Sequence, residues 1–126
     1  MTDTTNTRFA HERLDAYHVA LELLHGVERL AGAFPRGYRD HKDQLRRAAG
    51  AVVLGIAEAA ARMHARDKAT RFSVARGECG ECAAALDMAR VMGIAPGPEV
   101  MRLLRLADRV SAMLMGLIRS EQRRIE

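Results

Sequence analysis

The stretch from Gln44 to Arg62, QLRRAAGAVVLGIAEAAAR, constrains the fold most because it has almost no polar face. Between residues 48 and 61 the only charged side chain belongs to Glu58. A helix on the surface of a bundle needs only about three apolar positions in seven. The stretch is therefore predicted to be a helix covered on more than one face. Its excess apolar surface predicts contacts with neighbouring copies of the chain through Val52, Leu54 and Ile56.

The length of 126 residues predicts one domain with a substantial core. The chain is rich in Ala, Leu, Met and Arg and has no Trp, a composition typical of helical proteins. Its longest apolar run is about 14 residues, short of the roughly 20 that span a bilayer, so no membrane contact is expected. The polar start MTDTTNTRF lacks the features of a secretory signal, which favours the cytoplasm.

Apolar residues repeat at steps of three and four and predict four helices. The first follows a disordered tail at 1–8 and ends near Pro35, and the second starts near Asp40 and ends between residues 63 and 67. Asp67 is a candidate cap for the third helix, and Gly93 is predicted as the left-handed residue at its end.

The fourth helix is predicted to start with Pro98 in its first turn and to end near Ser120, before a tail at 121–126. Helices joined by short connections must alternate in direction. The prediction is therefore an all-α fold, an antiparallel up-and-down four-helix bundle over residues 9–120.

The basic residues are concentrated in the middle of the chain. Residues 36 to 76 contain ten basic and four acidic side chains, a net charge of +6, whereas the whole chain carries +4. Such a segment indicates either an anionic partner or a solvated surface. Two groups at opposite ends of the second helix are the candidate nucleic-acid-binding residues: Arg39, Lys42, Arg46 and Arg47, then Arg62, Arg66, Lys68 and Arg71. Because aromatic residues that could stack on exposed bases are scarce, binding is expected to be to the backbone and shape of the nucleic acid, without strong sequence readout.

Several segments carry a resemblance to a known family. The runs QLRRAA, IAE at Ile56 to Glu58 and ARG at Ala75 to Gly77, with an acid at Glu81, resemble the bacterial four-helix-bundle proteins first noticed in intervening sequences of 23S rRNA genes. The resemblance covers about residues 9 to 120. It implies a ring-like homopentamer with no enzyme activity. Related bundles serve as accessory proteins of diversity-generating retroelements, where a basic pentamer binds nucleic acid and a reverse transcriptase.

Glu58 is the most informative single residue, because a buried carboxylate without a partner is costly. It must reach solvent, become protonated or meet a cation. Arg76 on the third helix is the predicted partner, and the two form a predicted structural ion pair.

Two short motifs have spacings that chemical sites use. Glu22 and His25 have the spacing of one half of a di-iron or di-manganese site, but the second Glu-x-x-His is missing, so a solvated pair is expected. Cys79 and Cys82 lie inside a helix with no strand before them, which favours two buried thiols over a redox dithiol or a zinc site. No nucleophile motif or nucleotide fingerprint occurs, so no cofactor and no enzyme activity are expected.

Three functions remain open from the sequence. The first is a non-enzymatic cytoplasmic homo-oligomer, a pentamer by the resemblance, that binds RNA or DNA as a binding or scaffold module. The second is a protein-interaction adaptor for an acidic protein, in which the excess arginine has only a solubility role. The third is a metal-dependent bundle enzyme based on Glu22 and His25.

Overall fold

The structure is a computed structural model, and it describes residues 8 to 126. The predicted disordered tail at 1–8 lies outside these residues except for Arg8. After a short 3-10 helix at Ala10–Arg13, four helices follow: α1 Asp15–Gly32, α2 Arg39–Ala61, α3 Ala65–Val91 and α4 Gly97–Ile125. The prediction of an all-α four-helix fold is confirmed.

Each helix packs against its two neighbours in the order α1, α2, α3, α4, and α4 packs back on α1. The directions alternate, as contacts between α3 and α4 show. Cys79 Sγ donates a hydrogen bond to Ala107 O, and Arg76 Nε, one turn earlier, donates to Ser111 O, one turn later. One end of the bundle therefore holds the α1–α2 and α3–α4 connections, and the other holds the α2–α3 connection.

Large aliphatic side chains fill the centre, and all four helices contribute to it. Six of the largest have at most 1% of their surface exposed: Leu23, Leu45, Ile56, Leu86, Leu103 and Leu114. At roughly 25 cal/mol per Å² of apolar surface, their burial is a main source of stability. The side chain of Leu103 packs directly against Gly26 of α1. A Cβ added to Gly26 would overlap Leu103 Cδ2.

The end of α3 follows its sequence signal closely. Gly93 has a φ of +73°, Gly93 N–H donates to Arg90 O, and Ile94 N–H donates to Ala89 O. These two bonds form a Schellman motif, which satisfies carbonyl groups that the helix would otherwise leave free. The prediction of Gly93 as the terminating residue is confirmed.

Three boundaries differ from the sequence predictions. The helix α2 ends at Ala61, before the predicted range of 63–67. Asp67 does not cap α3: the N-cap is His64, and Asp67 lies inside the first turn, where its carboxylate contacts arginine side chains. There is also no C-terminal tail at 121–126, because α4 continues to Ile125. Ile118 and Glu121 are both buried one turn apart, so packing extends the helix beyond Ser120.

Candidate nucleic-acid interface

The turn between α1 and α2 encloses an open cavity at the start of α2. Gly37 has a φ of +94°, which glycine adopts without the steric cost of a side chain, and it precedes α2 by two residues. Phe34 packs against the hydrophobic core and anchors the turn to the bundle. The cavity between the turn and the first two turns of α2 has a volume of about 600 Å³.

Basic side chains dominate the lining of this cavity. Asp43 is its only acidic residue, and two aromatic residues, Phe34 and Tyr38, line it as well. The cavity together with its four cations is called the basic cavity below, and these cations are Arg36, Arg39, Lys42 and Arg46.

Two of the four cations have acidic neighbours, and two do not. Arg39 Nε lies 4.0 Å from Asp43 Oδ2, and its side chain is 89% exposed. Arg46 Nε donates a 2.8 Å hydrogen bond to Glu28 Oε1, which raises the pKa of Arg46. The other two cations, Arg36 and Lys42, make no ion pair within 4 Å with any residue from 8 to 126. They are therefore available to an anionic ligand.

The basic cavity contains three of the four residues predicted for the first basic group, with Arg47 in a different place. Arg47 lines a separate groove between α2 and α3, beside Glu78 and Glu81. Consecutive residues on a helix point about 100° apart, and this rotation directs Arg47 toward α3 and away from the cavity that Arg46 lines. Arg36 was not in the predicted group. Its sequence signal is its place in the PRGY turn directly before the helix.

The second basic group lies at the other end of α2, where Arg62 follows Arg46 by 16 residues, roughly 24 Å along the helix axis at 1.5 Å per residue. Here arginines and acids form a closed network. Arg62 donates hydrogen bonds to Glu58 Oε1 at 2.6 Å and Asp67 Oδ2 at 3.4 Å. Arg71 lies 3.9 Å and 3.8 Å from the same two carboxylates. The other two predicted cations make no ion pair with the described residues: Arg66 and Lys68.

The predicted ion pair between Glu58 and Arg76 is wrong. Glu58 is exposed and bonds to Arg62 on its own helix, and this hydrogen bond, with the charge of Arg71, lowers the pKa of Glu58. Arg76 instead lies on the side of α3 that faces α4, where it donates to Ser111 O at 3.3 Å. The sequence could not reveal how α3 is rotated about its axis.

The residues predicted to contact neighbouring copies divide between core and surface. Val52 and Ile56 are fully buried inside the chain, so they have no surface for such a contact, and that prediction is corrected. Leu54 is 72% exposed. Residues 52 and 56 share one helical face, whereas residue 54 lies on the opposite side.

Val74 of α3 lies on the same outer surface as Leu54. Glu58, one turn after Leu54, lies 3.9 Å from Arg71, about one turn before Val74. The backbones are close here, since a Cβ added to Gly55 would lie 3.1 Å from Ala75 Cβ. Val74 is 52% exposed. We call the surface that carries Leu54 and Val74 the outer α2–α3 face.

Glu22 and His25 of α1 are both exposed to solvent. Within residues 8 to 126, no three His, Cys, Asp or Glu side chains converge on a point where they could hold a metal ion.

Cys79 and Cys82 of α3 are buried free thiols, and Cys79 Sγ donates a hydrogen bond to Ala107 O of α4. Burial raises the pKa of both, and that of Cys82 to about 12. Because reactive cysteines are partly exposed and have a lowered pKa, both are expected to be unreactive in the folded protein.

The raised pKa of Cys82 predicts a loss of stability in alkali. In the unfolded chain the thiol ionises near pH 9, whereas in the folded chain it stays protonated to about pH 12. The free energy of unfolding therefore falls as the pH rises between these values. From pH 8.5 to 10.5 the parent should lose about 2 kcal/mol more than Cys82→Ala. Urea unfolding at both pH values measures this difference, and parallel losses in the two proteins would contradict the assignment.

No helix among the described residues has the length and apolar character needed to cross a bilayer. A comparison with curated proteins found no match. A family model described as 23S rRNA-intervening sequence protein matches residues 12–116, which include all of α1, α2 and α3 and most of α4. The match contains the basic cavity and the outer α2–α3 face, and the chain thus belongs to the 23S rRNA-intervening sequence protein family.

Proposed function

We propose that this protein is a non-enzymatic cytoplasmic homo-oligomer that binds the phosphate backbone of nucleic acid through its basic cavity. The observation that carries the proposal is the position of four cations around one concave surface, two of them without an acidic partner in the described chain.

Phosphate is the anion that best fits such a surface. Arginine and lysine side chains are the main donors to phosphate oxygens in nucleic-acid complexes, and these contacts set affinity without reading sequence. The cavity residues come from one turn and the first two turns of one helix, so their spacing is fixed by the backbone. The second basic group also has two cations without an ion pair, but its other two arginines each lie within 4 Å of both Glu58 and Asp67, whereas each paired arginine of the basic cavity has one carboxylate neighbour. We therefore place the binding site at the basic cavity.

The outer α2–α3 face supports the oligomeric part of the proposal. Leu54 and Val74 expose aliphatic side chains next to each other, and a second copy would remove them from water. We propose five copies, the number that the resemblance implies. Five basic cavities on one assembly would multiply the phosphate contacts, so binding should be tighter and more sensitive to salt than for one chain.

Binding of a fluorescent RNA strand, followed by anisotropy at several salt concentrations, tests the nucleic-acid proposal. The double variant Arg36→Gln/Lys42→Gln removes the two cations without an ion pair. It should weaken binding roughly ten-fold near 100 mM salt and make the log–log salt dependence shallower by about 1.5, the value for two lost contacts.

The matched control is Arg105→Gln/Arg109→Gln, which removes the same charge from exposed positions on α4. This control should bind within about two-fold of the parent. Equal losses in both double variants would refute the cavity as the binding site. If neither RNA nor DNA binds at about 50 mM salt, the nucleic-acid proposal fails and the adaptor for an acidic protein becomes the better hypothesis.

Sedimentation or light scattering tests the oligomer. The parent chain of 13.9 kDa should behave as a particle of five copies, and Leu54→Asp should shift it toward the monomer, because a carboxylate cannot be buried in an apolar contact without a large cost. Leu21→Asp on α1 is the control for an exposed leucine outside this face. A parent that sediments as a monomer at micromolar concentration would refute the oligomer.

A further inference from the structure

The basic cavity contains more aromatic surface than the sequence suggests. The chain has five aromatic residues, three Phe and two Tyr, and two of the five line this cavity. From the sequence alone, the scarcity of aromatics predicts binding to the backbone and shape of the nucleic acid. The fold changes this expectation, because it brings Phe34 and Tyr38 together with the four cations.

The two aromatic residues have different surroundings. Phe34 packs against the hydrophobic core and so has a structural role at the base of the turn. Tyr38 is half-buried and is not among the residues packed against the core. Its ring centroid lies 6.1 Å from that of His41, at an interplanar angle of 43°. Tyr38 is therefore held at the cavity without being needed to fill the interior.

We propose that the basic cavity binds one unpaired nucleotide, with its base stacked on Tyr38 and its phosphates held by Arg36 and Lys42. This inference rests on the proposed nucleic-acid binding and names the form of nucleic acid that is bound. A volume of about 600 Å³ lies within the usual range of roughly 300–1,000 Å³ for small-ligand sites.

A double helix cannot use such a site in the same way. In a duplex the bases are stacked on each other, and only the phosphates can approach a concave protein surface. In a single strand, loop or bulge, a base can leave the stack and lie on an aromatic ring while cations follow the backbone. The chemistry of the basic cavity therefore favours single-stranded over double-stranded nucleic acid, with little dependence on the identity of the base.

The test compares a single strand and a duplex of equal length on three variants. Tyr38→Ala should weaken binding of a 12-nucleotide uridine-rich RNA about ten-fold, the effect of losing one stacked base. It should leave binding of a 12-base-pair duplex within about two-fold. Tyr38→Phe should retain the parent affinity for the single strand, since it keeps the ring. Phe9→Ala removes a 60% exposed aromatic residue outside the cavity and should change nothing.

The salt dependence separates stacking from charge. Because Tyr38→Ala removes no charge, its salt slope should match that of the parent, unlike the slope of Arg36→Gln/Lys42→Gln. Equal weakening of single strand and duplex, or equal affinity of the parent for both, would overturn the stacking site while backbone binding remained. Absence of all binding at about 50 mM salt would instead overturn the proposed function. Thermal unfolding of each variant should match the parent, and a lowered midpoint for Tyr38→Ala would count against a binding role.

Discussion

Replacing Ile56 by alanine is expected to lower the free energy of unfolding by about 3 kcal/mol. Ile56 is fully buried against the other helices, so the substitution removes three carbon atoms from a filled core. The loss combines the lost transfer of apolar surface from water with the cavity that remains. Urea unfolding followed by circular dichroism at 222 nm measures it.

The matched control is Leu54→Ala, two residues earlier on the same helix. Leu54 is 72% exposed, so the unfolding free energy of a single chain should change by less than about 0.5 kcal/mol. To keep assembly out of the comparison, Ile56→Ala can also be made in the Leu54→Asp background and compared with Leu54→Asp alone. An Ile56→Ala protein as stable as its parent would show that Ile56 is not in the core.

Gly26→Val is expected to destabilise the bundle by about 3 kcal/mol, by the opposite mechanism of overpacking. The added Cβ would overlap Leu103 Cδ2, and Leu103 is fully buried, so its side chain has no free space to enter. Helices α1 and α4 would have to move apart to admit the valine. The midpoint of thermal or urea unfolding measures the loss.

Gly80→Ala provides a control of opposite sign. Gly80 is exposed within α3, and a Cβ placed there meets nothing within 4 Å. Alanine favours the helix over glycine, so this variant should gain about 0.5–1 kcal/mol. If both glycine substitutions stabilised the protein, the close contact between α1 and α4 would be refuted.

The sequence predicts the fold well because the signals that define it are local. The apolar period, Gly93 and Pro98 each determine a helix or its end through contacts within a few residues. The family resemblance predicts the same bundle, and the match of the family model over residues 12–116 confirms the resemblance.

The sequence of α2 overestimates the apolar surface that this helix leaves for neighbouring copies, and the reason is physical. The side chains outside its core face are mostly small, such as Ala51 and Ala57, and these are half-buried beside α1 and α3. A small apolar side chain has little surface, so a few contacts with a neighbouring helix are enough to remove it from water. The helix is thus covered on more than one face within a single chain, and Leu54 is its one large aliphatic side chain left exposed.

The candidate site was only partly predictable. Arg39, Lys42 and Arg46 share a helical face, so their grouping follows from spacing alone. The contribution of Arg36 and Tyr38 depends on how the turn at Gly37 folds back, which no periodicity reveals. The partner of Glu58 depends on the rotation of α3, and this is decided by packing between distant parts of the chain.

The close approach of Gly55 to Ala75 makes the surface around it a rigid template. With so little space between the two backbones, α2 and α3 cannot slide or separate without a clash or a gap. Valine and leucine have few rotamers to lose, and the backbone that carries them is already fixed. A molecule that binds there meets a surface that is already ordered, so this protein loses little conformational entropy on association. The binding partner must therefore have a complementary shape.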